Sequence, residues 1–308
     1  MRVHANIVRS WDMARGIAAG MCLSALIAGC TELKTDLPEP TSGALNVHAE
    51  GWTDPGSPNF HGIAIKDAGW DMLTCKSCHG PTYSGGTSEV SCRTCHDQPA
   101  GPENCATCHG STNPAPPEDL EGNITFSARG VGAHQKHLVA GTYSDVLICS
   151  SCHVVPGQVY EPGHVDTPLP AEVPIPTSLA RTETNEPGAT YYTSSLPTFT
   201  PQPMWAAESL TCASTYCHGN FKNGNDTNTP LWVGAPGTQA ACGTCHGDPT
   251  AGTPAARAQP KSAARGGTHP SVTGCGCHSD VVDGNLNIIN KHKHINGKLN
   301  VSGGEYNF

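Results

Sequence analysis

The pattern Cys-x-x-Cys-His recurs along this chain and constrains it more than any periodicity of apolar residues. It stands at Cys75, Cys78 and His79, at Cys92, Cys95 and His96, and at Cys105, Cys108 and His109. It returns at Cys149, Cys152 and His153 and at Cys242, Cys245 and His246. Two variants complete the series: Cys212, Cys217 and His218, with four residues between the thiols, and Cys275, Cys277 and His278, with one. Two thiols with His directly behind them suit covalent attachment of a c-type haem. The thiols form thioethers to the vinyl groups, and the imidazole becomes an axial ligand of iron. Zinc is the alternative for paired Cys and nearby His, but a zinc-ligand His normally lies a dozen or more residues from its Cys pair. Here His follows the second Cys in all seven instances. Disulfides across such short loops are poor structural bridges. About seven haem c groups are therefore expected. The tight Cys275/Cys277 loop, flanked by flexible Gly274 and Gly276, would suit a single thioether through Cys277; if that motif is empty, the number is six.

Composition agrees with such an interior. Hydrophobic residues make up 37% and aromatics 6%, while 35 Gly and 26 Pro approach a fifth of the chain, too little apolar surface for an ordinary core. Covalently fixed porphyrins would supply the missing buried area. The expected fold is mostly coil with short α-helices around each motif, a haem-filled core and little β. Only the end of the tail alternates weakly, as an edge strand would.

An iron with two protein ligands needs a second imidazole. Outside the motifs, and leaving aside His4, the His are His48, His61, His134, His137, His164, His269, His292 and His294, eight candidates for seven irons. His134 and His137, at i and i+3 in a short helical turn, share a face and are placed to serve two adjacent irons. His292 is the expected spare and His48 the runner-up, which leaves His48, His61, His134, His137, His164, His269 and His294 as distal ligands. A solvated face is the plainer reading of paired exposed His. Met72 and Met204 read as packing residues.

Residues 1–29 have the form of an export signal: Arg2, Arg9 and Arg15 precede an apolar run, Ile17 to Gly29, too short for a spanning helix. The run ends Leu26-Ile-Ala-Gly-Cys30, which resembles the bacterial lipoprotein signal, in which the Cys becomes the lipid-bearing first residue; a plain signal peptide with a stray Cys is the alternative. Thr31 follows rather than Asp, and by that resemblance the protein would be an outer-membrane lipoprotein on the periplasmic or cell-surface face, anchored without spanning the bilayer. Loss of residues 1–29 would remove three Arg and one Asp and take the net charge from −9 to −11. That sign excludes nucleic acid as a partner and suits a basic redox protein or a positively charged metal acceptor.

Residues 30–47 read as a tether and 48–167 as an N-terminal four-haem module. Cys105 lies nine positions after His96, so even an extended chain spans only about 30 Å between them and the porphyrins must be neighbours. Residues 168–204, with eight Pro and no Cys or His, read as a linker or surface strap. Residues 205–308 form a C-terminal three-haem module. In it, Cys212-Ala-Ser-Thr-Tyr-Cys217-His218-Gly, Cys242-Gly-Thr-Cys245-His246-Gly and His294-Ile-Asn-Gly-Lys resemble the CxxxxCH/CxxCH-domain multihaem cytochromes of metal-reducing bacteria, and the first half is similar to the CxxCH-rich segments of the same proteins. The resemblance implies electron transfer at the outer membrane or beyond it, with other cytochromes, a porin or extracellular metal as partners. Two other expectations differ in class. A multihaem reductase of nitrogen or sulfur oxyanions would need a five-coordinate iron, often signalled by Lys in place of a motif His, and no such replacement occurs. A subunit of a haem-stacked filament would sit less easily with a lipid on Cys30.

Overall fold

The structure, a computed structural model, describes residues 47–141, 143–176, 179–185, 198–234, 239–248, 250–260, 269 and 274–307. The expected signal segment, Cys30 and nearly all of the tether lie outside the described residues. Coil and turns dominate, with few short helices and little strand, as the Gly and Pro content requires. Among the described residues no helix is long and apolar enough to cross a membrane.

The chain divides into two compact units, one ending at Ala64 and one beginning at Ile65. In the first, the Trp52 carbonyl accepts both the backbone N–H of His61 at 2.8 Å and its ring Nδ1–H at 2.9 Å. The indole of Trp52 stacks on His48, with centroids 4.3 Å apart. Helix α1 (His61–Asp67) starts here.

In the second unit, most motifs are themselves a single helical turn. Helices α2 (Lys76–His79), α3 (Cys105–His109) and α4 (Cys242–Cys245) lie on three of them, and 3-10 turns lie on Cys92–Thr94, Cys149–Ser151 and Gly276–His278. The reason is local: the motif His donates its N–H to the carbonyl of the first Cys, at 3.0 Å for His96, His153 and His246 and 2.8 Å for His278. One turn then brings both thiols and the imidazole to the same side. Caps fix where the turns begin. The Asn104 side chain accepts from Ala106 N–H at 2.9 Å ahead of α3, and Ser91 accepts from Arg93 N–H at 3.2 Å.

Packing between the turns is sparse and partly polar. Tyr83, 2% exposed, donates to Glu103 Oε1 at 3.0 Å, and the Lys76 ammonium pairs with the same carboxylate at 2.8 Å while standing 5.1 Å over the Tyr83 ring and 5.4 Å over that of Tyr160. Tyr160 accepts in turn from Met72 N–H at 3.0 Å, so this knot joins the first, third and fourth motif regions.

Antiparallel strand pairs complete the unit. Strand β1 (Thr184–Asn185) meets β2 (Thr198–Phe199), and β3 (Met204–Ala206) meets β4 (Thr211–Ala213), which carries Cys212 opposite Trp205. Where a single edge strand was expected at the end of the tail there is a hairpin, β5 (Lys298–Val301) on β6 (Gly304–Asn307). Ser302 at φ +50° and Gly303 at φ +78° make the two-residue turn that such a hairpin favours. Part of the stretch expected as linker or strap lies against the fourth motif: Ile175, 3% exposed, donates its N–H to Cys152 O at 3.1 Å.

Candidate functional site: paired histidines over the thiols

Four motif histidines each face a histidine from outside the motifs. Ring centroids are 5.9 Å apart for His109 and His164, 6.3 Å for His134 and His153, 5.9 Å for His137 and His218, and 6.3 Å for His246 and His294. Two imidazoles bound to one ion from opposite sides, at metal–nitrogen bonds of about 2.0 Å, have centroids roughly 6 Å apart. His134 and His137 thus go to different partners, and His137 reaches a motif on the far side of the expected strap.

A second regularity concerns the other ring nitrogen. Nδ1 contacts a backbone carbonyl in His79 (Val90, 2.8 Å), His137 (Ala133, 3.0 Å), His153 (Glu172, 2.8 Å), His164 (Val159, 2.8 Å), His278 (Asn300, 2.5 Å) and His294 (Tyr143, 2.5 Å). His134 Nδ1 lies 3.1 Å from both the Gly130 and Val131 carbonyls. A carbonyl only accepts, so Nδ1 carries the proton and Nε2 keeps its lone pair, the tautomer and orientation that metal-bound His commonly has.

Burial reinforces this. It pushes His134, His218 and His246 down to about 4, with neighbouring imidazoles adding to the effect, and lowers His109, His137 and His294. The neutral imidazole, which binds metal, is thereby favoured near pH 7. Burial also pushes the thiols of Cys217 up to about 12 and Cys212 up to about 11, and the field of Cys152 adds to both. The fourth and fifth motifs are neighbours. The same kind of coupling links Cys92 to Cys75 and Cys275 to Cys242. No disulfide joins any of the fourteen motif cysteines.

The remaining candidates are placed as follows. His48 and His61 flank Trp52 in the first unit. His269 and His278 lie near enough to His246 to lower its pKa electrostatically. The tail hairpin packs on the last motif: Asn300 O holds His278 and Ser302 N–H donates to Cys277 O at 2.6 Å. His292 instead meets the Asp145 carboxylate at 2.5 Å, with its side chain 70% exposed.

The donor set fits haem. Among the described residues no group of three or more His, Cys, Asp or Glu gathers as a zinc ion requires. Two opposed imidazoles are too few ligands for a structural zinc, but they complete an iron whose other four ligands come from a porphyrin.

The fifth and sixth motifs form one local structure. Asn228 Nδ2 donates to His218 O at 2.8 Å, while Asn225 N–H donates to Cys245 O at 3.1 Å and its Nδ2 to Thr244 O at 2.8 Å. Gly219, at φ +107°, has no room for a side chain, since a Cβ would run into the Cys245 carbonyl. Residues 211–246 match the family described as Geobacter CxxxxCH...CXXCH motif. The match supports a multihaem cytochrome c-type domain. No curated protein and no solved structure matches the chain. In the matched segment the longer Cys212/Cys217 spacing has a structural basis. Cys212 sits on strand β4 with its N–H on Pro230 O at 3.1 Å, while Cys217 sits on the 3-10 turn Tyr216–His218, so the extra residues carry the chain from strand to turn. The motif family implies covalently bound haem c and points to electron transfer.

Sequence reasoning missed the carbonyls that hold the imidazoles, and Trp52 and Trp232 beside them. A carbonyl leaves no mark in the residue type. Trp52 did leave one, standing four positions after the candidate ligand His48, whereas Trp232 has no non-motif His near it in the sequence.

Proposed function

We propose that this protein is an electron carrier in which about seven covalent c-type haems, each ligated by two histidines, fill the interior and form a relay. The four opposed imidazole pairs at 5.9–6.3 Å carry this reading. A six-coordinate low-spin haem gives and accepts single electrons and offers no open position to a substrate.

The chain's own residues do the rest. Motif thiols fix each porphyrin edge, and backbone carbonyls set the imidazole planes and keep Nε2 unprotonated. Burial around His134, His218 and His246 excludes water and a competing proton. Closely spaced motifs, such as the fourth and fifth, keep neighbouring centres within reach of one another. Cys30 supplies a lipid anchor to the outer membrane. The acidic chain, at −9, suits a basic redox partner protein or an extracellular metal acceptor.

Optical spectra of protein matured in a host that attaches haem test the ligation. The expected result is a low-spin spectrum in both redox states, unchanged when carbon monoxide meets the reduced protein. Carbon monoxide binding at most centres would refute it and favour a reductase.

A further inference from the structure

Two of the four imidazole pairs meet at one indole. Trp232 reaches back across 103 residues to donate its Nε1–H to Arg129 O at 2.8 Å. Its ring fills the space left by Gly132, which stands at φ +41°, and a Cβ on that glycine would fall inside the indole. The ring meets His134 edge-on, with centroids 4.6 Å apart and planes at 89°. It lies within 16° of parallel to His137, with centroids at 6.0 Å. Trp205 closes the other side at 6.0 Å and 78°. A stiff aromatic held by a hydrogen bond and a second indole therefore packs edge-on to His134 and runs alongside His137.

The pairs are not alike in geometry. Imidazole planes lie at 33° for His109 and His164, 28° for His134 and His153, and 12° for His246 and His294. For His137 and His218 the angle is 73°. In low-spin ferric iron the axial imidazole planes set the splitting of the two d orbitals that share the unpaired electron. Parallel planes split them and give a rhombic electron paramagnetic resonance spectrum. Crossed planes leave them nearly degenerate and give a single, strongly anisotropic signal.

We infer that Trp232 is a positioning residue: it holds His137 crosswise to His218, which makes that centre electronically distinct from the other three. His218 is half-buried, whereas His137 has the Ala133 carbonyl on Nδ1 at 3.0 Å and the flat indole alongside, and the two together fix its plane. The inference rests on the bis-imidazole ligation proposed above.

The test is the electron paramagnetic resonance spectrum of the oxidised, fully loaded protein. Expected are rhombic low-spin signals together with a strongly anisotropic one. In Trp232→Leu, one spin equivalent of the anisotropic signal should move to the rhombic set with haem number unchanged. Gly132→Ala, which displaces the indole while leaving both ligands and Trp232 intact, should do the same and decides the matter if the leucine variant fails to load. A wild-type spectrum with rhombic signals alone overturns the inference and leaves the ligation standing. An unchanged anisotropic signal in either loaded variant also overturns it. Absence of all low-spin signals removes the ligation and this inference together.

Discussion

Synthesised without haem attachment, for instance with every motif Cys replaced by Ala, the chain is expected to show no cooperative thermal unfolding and little protection of its backbone amides from hydrogen exchange. The described residues bury few large apolar side chains, chiefly Met72, Tyr83, Val131, Ile175, Tyr216 and Val281. Longer apolar residues such as Ile124, Ile148 and Val154 stand 74%, 67% and 76% exposed on the polypeptide alone. A porphyrin burying on the order of 400 Å² of apolar surface contributes about 10 kcal/mol by the area rule. Net stabilities of ordinary domains are about 5–15 kcal/mol, so losing even two such groups exceeds what a fold can spare. A haem-free protein that melts cooperatively and protects its amides would show that side chains alone make the core.

The second large effect separates two histidines only two positions apart. His294→Ala removes the imidazole opposite His246 and should leave one centre five-coordinate. About one haem in seven would then turn high-spin and bind carbon monoxide. His292→Ala removes an exposed side chain paired with Asp145 and should leave the spectrum unchanged, with stability altered by about 0.5 kcal/mol or less. Equal spectra from the two variants, or a high-spin centre in the second, would break the assignment of His294 as the distal ligand.

How much of this was legible in the sequence depends on the range of the interaction. The mostly coil character followed from Gly and Pro content, and the single-turn helices from Cys and His three and four positions apart. That His134 and His137 go to different partners was readable from their spacing as an expectation. Which partners was not, because His137 faces His218, 81 positions on, and nothing local in either segment encodes that encounter. The hairpin at the tail was half read: alternation marked β5, while the Ser302-Gly303 turn that demands a second strand went unweighed. Residues 168–204 looked like a strap for want of Cys and His. Their backbone nevertheless supplies the Glu172 carbonyl to His153, a contribution that depends on chain path and not on residue type. Trp232 is a similar case, since its use depends on the space left by Gly132 a hundred residues earlier.

The measurement that tests the central claim most directly is the intact mass of the denatured, purified protein from a host competent in cytochrome maturation. Haem c survives denaturation because thioethers hold it, whereas zinc would be lost. The expected mass is that of the chain from Cys30 onward with its acyl groups and seven haems, or six if the Cys275/Cys277 motif is empty. The mass of the bare polypeptide would contradict the account.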